Sequence, residues 1–261
     1  MTDKMIGTKA DGIGWLVFNN PERHNAVSLE MWEAAKRIVD DFIADDAVRV
    51  IVVRGEGGRA FVSGADISKF EDERAAENAV QRYDEATEGA YTTLRSSPKP
   101  TIAMIQGYCI GGGMNLAVCC DLRICNEAAK FAIPAAKLGL GYGYSRVKRL
   151  LDVTSAPFAR EIFFTARQFT AAEAAGMGLV NRVLPDAELE AYVTDTARQI
   201  AANAPLTVRT LKTVIAEALK DPDDRDLATC DRMVAECFAS QDYAEGRQAF
   251  KEKRKPVFTG R

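Results

Sequence analysis

The sequence predicts an α/β fold, and three observations carry that expectation. Short β-branched runs alternate with stretches of helical periodicity, glycines cluster directly after those runs, and the chain beyond Pro185 turns helix-rich. In order, an apolar run at 15–18 leads into the turn formers Asn19, Asn20 and Pro21, and Ser28 is placed to cap a helix. Trp32, Ala35, Val39 and Phe42 then recur at helical spacing, which gives that helix one apolar face. A buried-type strand at 50–53 follows, ending in Gly55, Gly57 and Gly58. Another apolar run at 101–105 ends in Gly107 and the triplet Gly111, Gly112 and Gly113, before a helix at 114–120 and a strand at 122–125. Thr170 and Glu173 form a capping box, and Gly176 and Gly178 stop the helix it starts. Helices are expected at 189–203, 206–219 and 227–238, with a core over residues 1–200 and a helical region over 201–261.

Composition narrows the function. A chain of 261 residues, 47% hydrophobic and 27% charged, has the make-up of an ordinary globular protein. A formal charge of −3 supplies no basic field for nucleic acid or an anionic membrane, so neither is an expected partner. With no apolar run near the ~20 residues a bilayer requires, and no secretory pattern at the start, the expected compartment is the cytoplasm. The six cysteines lack metal-ligand spacing and read as reduced, buried thiols. His24 is the single histidine, so neither a metal centre nor a Ser-His-Asp triad is expected.

Two glycine-rich stretches stand out, one from 60 to 67 around Ser63, Gly64, Ala65, Asp66 and Ile67, the other from 107 to 115. Glycines between a strand and a helix let a ligand approach the backbone and aim unpaired N–H groups at it, which suits an oxyanion. The spacing alone fits a structural tight turn equally well. Neither the dinucleotide nor the P-loop glycine pattern is satisfied.

Taken with the segments 20–26, 178–181 and 250–254, these stretches closely resemble the crotonase superfamily, the enoyl-CoA hydratase/isomerase family, in order from about residue 12 to the C-terminus. The resemblance implies a spiral of strand-strand-helix units with a C-terminal helical trimerisation region, assembled as a homotrimer or a dimer of trimers. It implies an acyl-CoA thioester substrate, with coenzyme A as part of that substrate and no separate cofactor. Carried over by position, Ala65 and Gly112 supply the two N–H groups of an oxyanion hole. His24, Ala26, Ala65, Asp66 and Ile67 line the coenzyme A channel, and Phe250 and Lys253 reach its adenine and phosphate region from a neighbouring subunit. Without the resemblance, Lys253 reads as an exposed lysine.

The chain departs from the family pattern where hydratases carry two glutamates. Asn115 and Ala135 occupy those positions, and Gly143 falls where some isomerase relatives carry an aspartate. An amide or a methyl group cannot serve as a general base, so ordinary hydration loses groups that typically contribute about 10²–10⁴ each. Tyr142 falls where decarboxylase relatives also carry a tyrosine, although those relatives place a histidine where this chain has Ala65. The resemblance therefore points to thioester-enolate chemistry on a substrate with a leaving carboxylate. Asn115, Tyr142 or an inward-turned Arg146 would hold that carboxylate. Two alternatives stand: a hydratase or isomerase using Tyr142, Tyr144, Ser63 or Glu71 as atypical acid/base groups, and a non-catalytic acyl-CoA-binding protein.

Overall fold

The computed structural model describes residues 2–66 and 79–261. The chain opens with a hairpin, β1 (Met5–Ala10) and β2 (Ile13–Phe18), paired antiparallel. Its turn residues Asp11 and Gly12 both have positive φ, 52° and 78°, the geometry whose twist matches a two-residue hairpin. In α1 (Leu29–Ala44), Ser28 Oγ accepts from Met31 N, and the face carrying Trp32, Ala35, Val39 and Phe42 is buried as the spacing predicts.

Three strand-strand-helix units follow. The first joins β3 (Val50–Gly55) and β4 (Ala60–Val62) to α2 (Ala79–Arg95). The second is β5 (Thr101–Ile105), β6 (Tyr108–Ile110) and α3 (Gly112–Cys119). The third has β7 (Leu122–Asn126) and β8 (Lys130–Ala132), a 3₁₀ turn at Pro134–Leu138, then α4 (Tyr144–Leu151) and α5 (Ala156–Thr165). Within each unit the first strand enters one sheet and the second strand enters another. After them come β9 (Phe169–Thr170), α6 (Ala171–Gly176), β10 (Arg182–Leu184) and α7 (Asp186–Ala201), and last α8 (Pro205–Ala218), α9 (Leu227–Ala239) and α10 (Gln241–Glu252).

The first sheet runs β1-β2-β3-β5-β7-β10 and is parallel apart from β1, while the second runs β4-β6-β8-β9 and is parallel apart from β9. β3 is buried on both faces because each is covered: Ile51 and Val53 pack into the main core with α1 and α3, whereas Val50 and Val52 meet Leu189, Val193 and Ala197 of α7. The predicted α/β class with parallel sheets and helices is therefore the observed one.

Some boundaries differ from those expected. The helix expected from 114 begins at Gly112, because the glycines form its first turn. The helix expected at 189–203 begins at Asp186, where Asp186 and Glu188 supply acidic groups that favour a helix N-terminus. The capping box at Thr170 and Glu173 forms in full, with both reciprocal bonds made. No helix among the described residues is long and apolar enough to cross a membrane.

Candidate active site

The two glycine-rich stretches meet at the ends of β4 and β6. Gly113 allows the meeting: a Cβ there would lie 2.0 Å from the Val62 carbonyl oxygen, so only glycine lets the first turn of α3 press against the end of β4. That contact brings Gly112 beside Gly64, where a Cβ built on Gly64 would be 4.0 Å from Gly112 N. Gly64 itself has φ +108°, a conformation that L side chains rarely adopt.

Two backbone N–H groups at this meeting point have no partner in the local ladders. Val27 N donates to Gly64 O at 2.9 Å and Asp66 N donates to Val27 O at 3.0 Å, a parallel bridge that directs the Ala65 N–H away from Val27. Gly112 is the first residue of α3, and its N–H belongs to the opening turn, whose amides have no carbonyl within the helix. Neither amide has a protein acceptor among the described residues. Gly112 N–H, at a helix N-terminus, is of the kind that donates to an anionic ligand.

Behind the pair, Asn25 organises the 20–26 loop. Its Oδ1 accepts from Asn20 N at 2.8 Å, and its Nδ2 donates to Ala60 O at 2.7 Å and Glu56 O at 3.0 Å. His24 and Asn25 both adopt the left-handed region. The His24 ring is exposed and stands edge-on to Tyr108 at 5.9 Å. The bridge from Val27 to Ala65 joins the end of the 20–26 loop to the segment carrying Ala65 and Asp66. Arg23 Nη1 reaches Asp66 Oδ1 at 3.3 Å. Ile67 and Glu71 lie outside the described residues.

On the other side of Gly112, Asn115 and Tyr142 are brought together across 27 residues of sequence. Asn115 Nδ2 donates to Tyr142 Oη and reaches Gly111 O at 3.4 Å. The Tyr142 ring packs edge-on against Phe163 at 5.0 Å. Burial pushes its phenol up to about 12, against the lowering effect of the Asn115 hydrogen bond. It is therefore protonated throughout the neutral range, and since the amide occupies an oxygen lone pair, its own O–H remains free to donate. Ala135 is buried in the same apolar cluster as Met114, with Tyr142 packed against it.

Arg146 does not turn towards this pair. Its Nε donates to Glu88 Oε1 at 2.9 Å and its Nη2 to Asp84 Oδ1 at 3.2 Å, because α4 lays its basic side chains against the acidic face of α2. The expectation that Arg146 attracts a substrate carboxylate is thereby corrected. Arg149 Nη2 also binds Glu88, at 2.5 Å. Burial alone would raise the Glu88 pKa, but the hydrogen bonds from Arg149 and Arg146 outweigh it and hold the carboxyl below its usual range. Glu88 is ionised and occupied.

Sequence reasoning missed Tyr91. Its hydroxyl donates to Gly112 O at 2.8 Å, and its ring lies edge-on to Trp32 at 5.2 Å. The signal was the buried face of α2, where Tyr83, Thr87, Ala90, Tyr91 and Leu94 recur at helical spacing. Of the remaining candidates, Tyr144 is exposed, and Ser63 Oγ lies 3.5 Å from Arg23 O. Phe250, on α10, is 85% exposed, and Lys253 caps that helix in the left-handed conformation. Five of the six cysteines are buried, and burial raises Cys119 and Cys125 to about 12, which removes them as nucleophiles. Among the described residues no group of three or more His, Cys, Asp or Glu side chains is placed to hold a metal.

The family model for enoyl-CoA hydratase/isomerase matches residues 8–261. The chain belongs to that family. A crotonyl-CoA hydratase of Syntrophomonas wolfei is 32% identical over 256 residues, covering 98% of both chains. A short-chain-enoyl-CoA hydratase of Clostridium acetobutylicum is 30% identical, covering 97% of this chain and 96% of its own. Among solved structures, an enoyl-CoA hydratase/carnithine racemase from Magnetospirillum magneticum superposes with a TM-score of 0.92 at 38% identity, covering 100% of this chain and 97% of that one. The strand-strand-helix units and the paired glycine stretches are thus features of an enoyl-CoA hydratase/isomerase family member along its whole length.

Proposed function

We propose that this family member acts on an acyl-coenzyme A, stabilising a thioester enolate between the N–H groups of Ala65 and Gly112, and that its reaction is a decarboxylation rather than a standard hydration. The Asn115–Tyr142 pair carries the reading. Where a hydratase would need carboxylates to deprotonate water, this site holds an amide and a protonated phenol, neither of which is a base at neutral pH. Loss of carbon dioxide needs no base. The bond between the α carbon and the carboxylate breaks, its electron pair moves into the enolate, and charge collects on the thioester oxygen facing the two amides. Tyr142 Oη–H then supplies the proton to the α carbon and is reprotonated from water. A carboxylate in place of Asn115 would repel the substrate carboxylate.

The names of the relatives favour a second reading, a hydratase or isomerase with atypical acid/base groups. Turnover of crotonyl-CoA separates the two. The first reading expects hydration several orders of magnitude below the common enzyme range and release of carbon dioxide from an acyl-CoA with an α-carboxylate. Hydration with kcat/KM of about 10⁴ M⁻¹s⁻¹ or above overturns it. Absence of turnover on every ester, with binding retained, would indicate a non-catalytic acyl-CoA-binding protein.

A further inference from the structure

A second cavity lies at the opposite end of the parallel sheet from the glycine stretches. Its lining includes Arg49, just before β3, Lys99 and Pro100, just before β5, and Arg209 on α8. The Gly107–Ile110 segment follows the far end of β5, so the strand's five residues, about 17 Å at ~3.3 Å each, separate the two regions. The cavity has a volume of about 320 Å³. Its charged side chains are mostly basic: Arg49, Lys99 and Arg209 line it, against the single acidic side chain of Asp46.

Two further facts mark this cavity. Among the described residues, only two buried side-chain nitrogen or oxygen atoms lack a hydrogen-bond partner, Arg49 Nη1 and Arg209 Nε, and both residues line this one space. Buried polar atoms are almost always satisfied, so two guanidinium groups that line one cavity and each keep an unpartnered nitrogen leave room for an acceptor. The protein supplies none at Arg49, which has no ion pair among the described residues, and Arg209 is tied only through Nη2, to Glu236 at 3.6 Å. Lys99 is already spent on backbone: its Nζ donates to Phe42 O at 2.6 Å and Asp45 O at 2.5 Å at the end of α1. It thus contributes fixed positive charge without filling the space. Apolar groups such as Ile43, Pro100 and Leu206 complete the wall and reduce screening by solvent.

We propose that this cavity is a phosphate-binding site, in which the guanidinium groups of Arg49 and Arg209 donate to phosphate oxygens and Lys99 supplies surrounding positive charge. Guanidinium groups fit the class because their planar donors match phosphate geometry. The space also accommodates an organic substituent beside the apolar wall, so free phosphate and a phosphate monoester are two sources of one chemistry.

Calorimetric titration of the full chain with inorganic phosphate and with phenyl phosphate, at fixed ionic strength in chloride, tests the proposal. One saturable site per chain is expected. Arg49→Met and Arg209→Met should each weaken binding by about tenfold or more, the free-energy equivalent of one charged hydrogen bond. Tighter binding of phenyl phosphate would identify a monoester as the ligand, and tighter binding of inorganic phosphate the free ion. Arg49→Met should also abolish the rise in Tm that phosphate produces in the unsubstituted chain, while its own ligand-free Tm at low salt is unchanged or higher, since a repelling charge is gone. If Arg49→Met does not fold, the Arg209→Met titration decides alone. Absence of saturable binding, or equal binding in the folded variants, would each overturn the site. A cavity that holds only water gives the first of these results.

Discussion

Tyr91 donates to the Gly112 carbonyl from a fully buried position, and a Cβ on Gly112 would come within 3.2 Å of that hydroxyl. The phenol therefore holds the turn that carries the Gly112 N–H. Tyr91→Phe keeps the ring against Trp32 and removes one hydrogen bond, so it should cost about 1 kcal/mol in stability. Its turnover should fall by about tenfold with coenzyme A affinity unchanged, which steady-state kinetics and equilibrium binding would separate. A parallel loss in both would instead mark Tyr91 as a general packing residue. Tyr142 should behave differently. Its folded-state pKa is raised from 10.0 to about 12, so the folded chain holds this proton more tightly than the unfolded chain does. The associated stability is complete below pH 10 and is lost as pH rises through about 12. Denaturant unfolding should show a steeper stability loss between those values in the unsubstituted chain than in Tyr142→Phe. That variant should also lose about 10²–10⁴ in turnover if the phenol is the proton donor.

The contact between α3 and β4 is where local structure and site geometry are the same thing. Gly113→Ala would drive a methyl group into the Val62 carbonyl, and backbone cannot yield as a flexible side chain can. The expected cost is about 3 kcal/mol, read from the urea midpoint, with acyl-CoA binding lost as Gly112 moves away from Gly64. A variant with unchanged stability would mean that α3 can shift freely. The helices also show how unevenly local signals report. α1 announced itself through Ser28 and a clean apolar stripe, and α6 through a complete capping box. α2 did not, because its buried face includes Thr87, whose hydroxyl turns back to Tyr83 O at 2.7 Å, and two tyrosines whose hydroxyls are spent on backbone at Val27 and Gly112. A helix that buries polar groups by satisfying them elsewhere in the fold keeps its helical spacing but mixes polar residues into its buried face, which blurs the apolar stripe. β1 was missed for a related reason: apart from Met5 it is an exposed edge strand with no alternation to read, although Asp11 and Gly12 carried a hairpin signal.

At the scale of the molecule, α8, α9 and α10 present a run of exposed apolar side chains. Leu211, Ile215 and Leu219 on α8 are each more than half exposed, and so are Phe238 on α9 and Phe250 on α10. An apolar surface of this extent on consecutive helices requires a cover. A trimer or a multiple of three is the assembly we propose, with Phe250 and Lys253 then reaching a neighbouring chain's ligand. Sedimentation should give a mass near three or six times 28.5 kDa at micromolar concentration, and Phe250→Asp should shift the distribution to smaller species. A stable monomer would remove both the assembly and the proposed role of those two residues.

By itself the sequence determined the fold class, the capped helices, the strands buried on both faces and the two glycine stretches, because these rest on short-range periodicity and backbone freedom. Its ordered likeness to a family also pointed to Ala65, Gly112, Asn115 and Ala135 as the positions to compare. Only the tertiary structure decided that Asn115 meets Tyr142, that Arg146 is held by Glu88 and Asp84, that Tyr91 braces Gly112, and that the two arginines with an unpartnered buried nitrogen line one cavity. Each of those contacts joins residues from separate elements. No local propensity encodes which side chains a packed core will bring face to face.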